Sequence, residues 1–321
     1  MLVPVLLFIV GLVCLIKGGD WFVDGATAVA RKFHFPEILI GATVVSVGTT
    51  LPEVMVSTNS ALGGHGEIAY GNAIGSVICN TALIAAITLA VRPGPVDRKS
   101  LKTPVLFFFT AALLYTFTAY TVGDFTRPFG LVMLALFVVY MVVTVRQMTG
   151  GSQTAAEEPE EEEDMPLGRA VLLLVIGAAL IAVGADLLVD NGTLIAAALG
   201  VPESVIALTF VALGTSLPEL VTAITSLVKG HSSLSLGNVI GANLFNLVLV
   251  CGISITLAPF RLPSSAVLFG HNASLVLEIP VMLLVMLILT LPALLKGKLT
   301  RVQGYVLLAI YAAFVAIQFS L

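Results

Sequence analysis

The fold is decided by the stretch Gly41-Ala-Thr-Val-Val-Ser-Val-Gly-Thr-Thr-Leu-Pro-Glu53, which places a carboxylate directly after a proline inside a long apolar run. A second copy follows later in the chain: Ala207-Leu-Thr-Phe-Val-Ala-Leu-Gly-Thr-Ser-Leu-Pro-Glu219. An acidic side chain within a membrane helix is costly and by default indicates a functional site, commonly an ion or proton pathway. The two motifs therefore predict a site for positive charge inside the membrane.

The prolines predict how such a site is built. Pro52 and Pro218 have no N–H, so they cannot donate to the carbonyls four residues earlier in a helix. We therefore expect both helices to break at the prolines and to expose the carbonyl oxygens of Gly48, Thr49, Gly214 and Thr215. Two broken helices in corresponding halves of one chain are typical of a midplane substrate site in a transporter.

The composition predicts that the chain lies in a membrane. Of the 321 residues, 58% are hydrophobic and only 11% are charged, and the mean hydropathy of +1.07 excludes a soluble globular domain. Apolar segments recur near the length of about 20 residues that a spanning helix needs. We predict an all-α integral membrane protein with ten transmembrane helices, at residues 3–30, 37–61, 67–91, 104–122, 129–147, 167–198, 203–228, 233–258, 278–295 and 302–320.

An internal repeat organises these ten segments. It has an offset of 166 residues, the difference between positions 219 and 53, and it runs without a gap from Gly18 to Leu83. Each half holds five predicted spans, an odd number, so the second half must enter the membrane from the opposite side. We predict a first inverted repeat at residues 1–148, an acidic disordered linker at 149–166 and a second inverted repeat at 167–321.

The basic residues predict the orientation. If the N-terminus is outside, most of the lysines and arginines fall in inner loops, whereas the outer loops carry only Arg127 and Arg261, as the positive-inside rule requires. We therefore expect a multi-pass protein of the cell (inner) membrane with both termini outside and the acidic linker in the cytoplasm.

Oxygen-rich side chains around the two motifs indicate a hard cation, because Ca²⁺ takes six to eight oxygen ligands. Neither motif contains His or Cys, which argues against zinc or copper. Ser76 and Asn80 are four residues apart and so share one helix face. Asn72 and Asn238 are interpreted as hydrogen-bonding between helices rather than as ligands. The candidate ligands are the carboxylates of Glu53 and Glu219, the carbonyls of Thr49 and Thr215, the hydroxyls of Thr50, Ser216 and Ser76, and the amides of Asn80 and Asn246.

These motifs carry a resemblance to a known family. Gly-Thr-Thr-Leu-Pro-Glu53 with Gly-Asn-Ala-Ile-Gly-Ser76, and Gly-Thr-Ser-Leu-Pro-Glu219 with Gly-Asn-Val-Ile-Gly-Ala242, resemble the paired alpha repeats of the cation/Ca²⁺ exchanger superfamily. Within it, the chain is most similar to prokaryotic Na⁺/Ca²⁺ exchangers.

The resemblance implies an ion site between the second, third, seventh and eighth helices, with the first and sixth helices sliding to give alternating access. It also implies a role for each matching residue. Glu53 and Glu219, with the carbonyls of Thr49 and Thr215, would bind Ca²⁺ centrally. The flanking Na⁺ sites would be completed by the carbonyls of Ser46 and Ala212 and by Thr50, Ser76, Asn80 and Ser216.

The sequence departs from the sodium exchanger pattern at Ala242 and Asn246, where that family often has Ser and Asp. One oxygen and one negative charge are therefore lost. The expected function is a secondary active antiporter that exchanges Na⁺ for Ca²⁺, most simply for Ca²⁺ export. Because of these two departures, an H⁺/Ca²⁺ or K⁺-dependent exchanger with the same central site stays open as an alternative.

Two readings from other classes also stay open. A passive cation channel would use similar oxygen ligands. An intramembrane aspartyl protease would pair Asp20 with Asp186, although it would leave both Pro-Glu motifs without a role. As a transporter, the chain is expected to be no enzyme, to need no cofactor, and to have the lipid bilayer and its ions as partners, with no nucleic acid or obligate protein partner. Four aspartates late in the first and sixth helices either line an ion path or lie at the helix interface: Asp20, Asp24, Asp186 and Asp190.

Overall fold

The computed structural model describes residues 2–150, 165–199, 214–264 and 266–319, and it is almost entirely helical. Within these residues nine helices are long and apolar enough to cross a membrane, and α7 is a further, shorter apolar helix. The helices are α1 (Leu2–Lys32), α2 (Glu37–Leu62), α3 (Gly66–Val91), α4 (Arg98–Thr121), α5 (Arg127–Gly150), α6 (Leu167–Ala198), α7 (Leu217–Val228), α8 (Ser232–Leu257), α9 (Ser274–Lys296) and α10 (Arg301–Gln318).

Four two-residue strands lie in the connections. β1 (Asp124–Phe125) pairs antiparallel with β2 (Phe260–Arg261), and β3 (Val267–Leu268) pairs antiparallel with β4 (His271–Asn272). Three of these strands lie between α8 and α9. The connection between α8 and α9 is longer than the one between α3 and α4, and the β3–β4 hairpin lies in it.

The predicted spans agree with the observed helices except at two starts. α4 begins at Arg98 rather than at 104, because the Asp97 carboxylate accepts hydrogen bonds from the backbone N–H groups of Lys99 and Ser100 at 2.9 and 3.4 Å. Such a side-chain cap starts the helix, and Pro104 lies inside it. α9 begins at Ser274 rather than at 278. Of the seventh predicted span only residues 214–228 are described, and most of the linker lies outside the described residues.

The core lies around α8. In the most apolar 18-residue segment of α8, 83% of the residues are buried, whereas 11% are buried in the corresponding segment of α10. α8 is therefore central and α10 is peripheral. The largest fully buried side chains include Tyr115, Tyr140 and Phe245, and Phe245 on α8 packs edge-on against Tyr140 of α5. Lipid-facing positions of α1 and α6 carry exposed Leu, Val and Ile side chains, as expected for helices at the outside of a membrane bundle.

α1 and α6 pack through glycines. A Cβ added at Gly18 would lie 2.9 Å from the carbonyl oxygen of Gly177, and one added at Gly11 would lie 3.0 Å from that of Gly184. We call these four residues the glycine seam. Small residues allow membrane helices to approach through their backbones, so the seam fixes α1 and α6 as a closely packed antiparallel pair.

Candidate ion-binding site

The two proline motifs meet between four helices that all contact one another: α2, α3, α7 and α8. Glu53 on α2 and Glu219 on α7 are both fully buried, with 0% exposure, and their charges interact. Cys79, the neighbour of Asn80 on α3, lies close to both carboxylates and to Ser216. Of the candidate ligands, α3 also contributes the buried Ser76, and α8 contributes the fully buried Asn246.

The first proline does not break its helix, contrary to the sequence prediction. α2 continues as regular helix from Ser46 to Leu62 with Pro52 inside it. A single interior proline removes one hydrogen bond, and a membrane helix tolerates this where the surrounding protein compensates. The carbonyl of Gly48 still lacks its usual donor, because residue 52 has no N–H.

The second proline lies at a helix start, as predicted. Thr215 and Ser216 form a turn, and α7 begins at Leu217 with Pro218 in its first turn. Glu219 therefore lies on the first turn of α7, where the helix dipole favours a negative charge. Both prolines, together with Gly48 and Thr49, line a small cavity of about 10 Å³ beside Phe22 of α1.

Three π-helical turns adjoin the candidate ligands, and they were not predicted from the sequence. They are Gly41–Val45, which ends just before Ser46, then Asn80–Ala85 and Asn246–Val250, which each begin at a candidate asparagine. Such turns shift the register of a helix by one residue and recur at functional sites. The signal in the sequence was a buried asparagine inside an apolar helix at equivalent positions of the two halves.

Many buried oxygens at this site have no hydrogen-bond partner within the described residues. They are the four carboxylate oxygens of Glu53 and Glu219, the hydroxyls of Thr50 and Ser216, and the side-chain oxygens of Asn80 and Asn246. Buried polar groups are nearly always paired in proteins, so each exception needs an explanation. A cation supplies one, because Ca²⁺ takes six to eight oxygens and two bare buried carboxylates would be strongly disfavoured.

Two equivalent hydrogen bonds tie the halves together. The Thr49 hydroxyl donates to the side-chain oxygen of Asn238 at 3.2 Å, and the Thr215 hydroxyl donates to that of Asn72 at 3.1 Å. Asn72 also donates to the Glu53 carbonyl at 3.3 Å and to the Ser57 hydroxyl at 2.8 Å. The interpretation of both asparagines as links between helices is confirmed.

Ser46 is fully buried next to the same link. Its hydroxyl donates to the carbonyl of Gly41 at 2.7 Å and to that of Asn238 at 3.0 Å. On α8, the Asn246 amide donates to the carbonyl of Ala242 at 3.1 Å, which leaves its side-chain oxygen without a partner. Ala212 lies outside the described residues.

The four aspartates do not join the two glutamates. The Lys229 ammonium lies 2.7 Å from the Asp24 carboxylate and 3.6 Å from that of Asp20, and Asp186 and Asp190 are exposed neighbours on α6. Given the antiparallel glycine seam, Asp20 and Asp186 lie roughly eleven residues, or about 16 Å, apart along the helix axis. They cannot form the dyad of an aspartyl protease.

A polar stripe on α7 was not predicted from the sequence. The hydroxyls of Thr222 and Ser226 are buried without a partner within the described residues. Thr222 lies three residues after Glu219 and Ser226 lies four residues after Thr222, which places all three on one helix face. This regular spacing in the sequence could have revealed the stripe, which leads from the carboxylate toward the end of α7.

Comparison with known proteins found a matching family model, curated relatives and solved structures. The family model described as sodium/calcium exchanger protein matches residues 3–146 and 169–320. The chain is 34% identical to the putative antiporter CaxA of Alkalimonas amylolytica, over 100% of both chains. It is 34% identical to the inner membrane protein YrbG of Escherichia coli (strain K12), over 87% of both.

A solved structure is similar throughout. The sodium-calcium exchanger NCX_Mj, soaked with Na⁺ and Ca²⁺, superposes with a TM-score of 0.79 at 31% identity, over 98% of each chain. The likeness includes both halves of the chain, with both proline motifs and the helices around them. This chain is a polytopic membrane protein that belongs to the sodium/calcium exchanger protein family.

Proposed function

We propose that the chain is a secondary active antiporter that exchanges Na⁺ for Ca²⁺ by alternating access. The observation that carries the proposal is the pair of fully buried carboxylates, Glu53 and Glu219, surrounded by buried oxygens without partners. Family membership and the likeness to a sodium-calcium exchanger structure support it. The chain is on this view a transporter and not an enzyme, and Na⁺ and Ca²⁺ are its substrates.

The charge of the site explains the exchange. Two carboxylates balance one Ca²⁺ or two Na⁺, so the two ions compete for one buried pair of negative charges. We assign Ca²⁺ to Glu53 and Glu219 with the carbonyls of Thr49 and Thr215. Na⁺ takes flanking positions that share these ligands and add the carbonyls of Ser46 and Ala212, with Thr50, Ser76, Asn80, Asn246 and Ser216.

The mechanism follows from the cost of burying uncompensated charge. With a cation bound, the charge of the carboxylates is compensated, so the protein can change between the inward-open and outward-open states. Without a cation, the charged carboxylates need water, which keeps the site open to one side. The pair formed by α1 and α6 lies beside the small cavity at both prolines. We infer that this pair slides to open the site to either side, with the α7 stripe of Thr222 and Ser226 as one approach.

The orientation is inferred from charge. The turns next to α3, α4 and α7 carry Arg92, Arg98 and Lys229, which we assign to the cytoplasm under the positive-inside rule. Both termini are then outside, and the division into residues 1–148, 149–166 and 167–321 gives inverted repeats with a cytoplasmic linker. We place the protein in the cell membrane, as for the inner membrane protein YrbG, and infer Ca²⁺ export driven by Na⁺ entry.

Asn246 gives specific support to a second candidate. It is a neutral side chain in the fully buried part of the site, and Ala242 beside it offers no side-chain oxygen. With one ligand oxygen and one negative charge fewer at the Na⁺ positions, an exchanger coupled to H⁺ or K⁺ would use the same central carboxylates.

The deciding experiment is ⁴⁵Ca²⁺ uptake into proteoliposomes loaded in parallel with Na⁺, with K⁺, or with an acidic interior. Uptake that requires internal Na⁺ supports the proposal, and uptake that follows the proton or K⁺ gradient supports the second candidate. Uptake with every internal solution would instead show a passive channel and refute antiport.

A further inference from the structure

A second cavity, with a mixed polar and apolar lining, lies where α3 ends and α8 begins, and it shares no residue with the candidate ion site. Its volume is about 40 Å³, whereas a single water needs roughly 10 to 15 Å³ by the same measure. It therefore has room for a small polyatomic ion. Its polar lining includes Arg92 at the end of α3 and three serines in the first turns of α8: Ser232, Ser233 and Ser235.

Among the described residues, the cavity is lined by one cation and by no acid. That cation is Arg92, and one of its guanidinium N–H groups donates to the carbonyl of Leu227, at the end of α7, at 3.3 Å. A guanidinium has five N–H donors, so this contact positions the group and leaves others available. The nearby Glu37 is already paired with His231 at 2.7 Å.

The start of α8 adds backbone donors. His231 occupies the N-cap position without a side-chain hydrogen bond to the first turn, so the N–H groups of Ser232 and Ser233 lack a capping side chain. α8 continues for 26 residues, to Leu257. The N-terminus of such a helix attracts anions through its N–H groups and its dipole.

Ser235 provides independent support. Its side chain is only 2% exposed, its hydroxyl has no hydrogen-bond partner among the described residues, and it lines the cavity. A buried hydroxyl is nearly always paired. The Ser235 hydroxyl is therefore a buried polar group beside the cavity that the described residues leave unpaired.

We propose that this cavity binds a phosphate-type oxyanion through Arg92, Ser235 and the first turn of α8. Arginine and serine hydroxyls are suited to tetrahedral anions, because they supply several donors in fixed directions. The anion is either inorganic phosphate or the phosphate of an anionic lipid headgroup. It links α3, α7 and α8, three of the helices that carry candidate ion ligands, so its binding stabilises the folded bundle.

The first test measures the thermal unfolding midpoint of the purified full chain while inorganic phosphate replaces chloride at constant ionic strength. The midpoint of the wild-type chain should rise with phosphate concentration. Arg92→Gln and Ser235→Ala should each weaken the apparent phosphate affinity about tenfold or more, since each removes a hydrogen bond to a charged group. Lys99→Gln is the matched control, because it removes one charge near the start of α4 without touching the cavity, and it should keep the wild-type response.

The second test distinguishes the source of the phosphate. Native mass spectrometry counts lipids retained from nanodiscs of phosphatidylcholine with or without phosphatidylglycerol. Retention of phosphatidylglycerol that is lost in Arg92→Gln, with no response to free phosphate, identifies a lipid headgroup. A response to free phosphate alone identifies a soluble anion.

Two results would overturn the proposal: a wild-type chain that responds to neither ligand, or an Arg92→Gln chain that responds as the wild type does. Ser235→Ala guards against misfolding, because without phosphate the loss of an unpaired buried hydroxyl should leave the unfolding midpoint unchanged or raised. Since both readouts are binding, they do not depend on whether the chain transports Na⁺ and Ca²⁺.

Discussion

The Thr215 hydroxyl donates a hydrogen bond to the side-chain oxygen of Asn72, 3.1 Å away, and an offset of 166 residues turns this pair into Thr49 and Asn238, which make the same bond. Each bond joins one half of the chain to the other. Each proline motif is therefore held in place by an asparagine of the opposite repeat, so the two motifs are structurally dependent on one another.

Replacing Asn72 with alanine tests this dependence. The change removes the partner of Thr215 and the donor to the Glu53 carbonyl and to Ser57. We expect a loss of about 1 to 3 kcal/mol in stability, the usual result of leaving buried groups unpaired, measured as a lower thermal unfolding midpoint. Asn59→Ala on the exposed face of α2 is the control, and equal midpoints for the two variants would contradict the prediction.

Neutralising either central carboxylate should abolish exchange. Glu53→Gln and Glu219→Gln each remove one of the two charges that balance Ca²⁺, and we expect Ca²⁺ binding to weaken by about 100-fold or more. Calorimetric Ca²⁺ titration and ⁴⁵Ca²⁺ uptake measure the two effects. In cation-free buffer both variants should unfold at the same temperature as the wild type or higher, because a buried like-charge repulsion is gone.

The control for these variants is Asp124→Asn, which removes a charge from an exposed connection. It should keep wild-type Ca²⁺ binding and uptake. Wild-type uptake in both glutamine variants would show that the assigned site is wrong.

Changes in α8 should alter the sodium dependence. Asn246→Asp adds a third buried negative charge, which requires a further cation, so the Hill coefficient for Na⁺-driven Ca²⁺ uptake should rise by about one. Ala242→Ser adds an oxygen without a charge and reproduces Ser76 of the first half. It should lower the Na⁺ concentration for half-maximal uptake and leave the Hill coefficient unchanged. If both variants showed the same Na⁺ dependence as the wild type, Asn246 would not be part of the ion site.

A methyl group in the glycine seam should separate α1 from α6. In Gly18→Ala the new Cβ lies 2.9 Å from backbone atoms of Gly177 and Ile181, closer than real contacts permit. We expect a loss of about 1 to 3 kcal/mol in stability, as for other overpacked sites, and reduced ⁴⁵Ca²⁺ uptake. Gly168→Ala is the matched control, because no described atom lies within 4 Å of its Cβ, and a similar loss there would refute the steric explanation.

The sequence predicted the described helices, and it supplied the candidate ligands, because each has a local signal. Hydropathy located the spans, and the 166-residue repeat paired Glu53 with Glu219 before any contact was known. The residue at which a helix starts was harder to predict. Asp97 starts α4 through its own side chain, whereas the predicted span began at residue 104.

The remaining differences depend on tertiary contacts. α2 runs through Pro52 because neighbouring helices support it. The proline alone does not show in the sequence which helices will pack around it. The π turn at Asn80 and the bond from Thr215 to Asn72 likewise depend on helices that are distant in the sequence. Only the equivalent spacing in both halves hinted at them.

The glycine seam has a further geometric consequence. The 166-residue offset carries Gly11 to Gly177 and Gly18 to Gly184, and the observed contacts are Gly11 with Gly184 and Gly18 with Gly177. Exchanging the two repeats therefore converts one contact into the other, so the seam is isologous, like the interface of a two-fold dimer. If the repeats exchange conformations during a transport cycle, the same glycine contacts are present before and after the exchange. α1 and α6 can therefore move as a single rigid body without repacking.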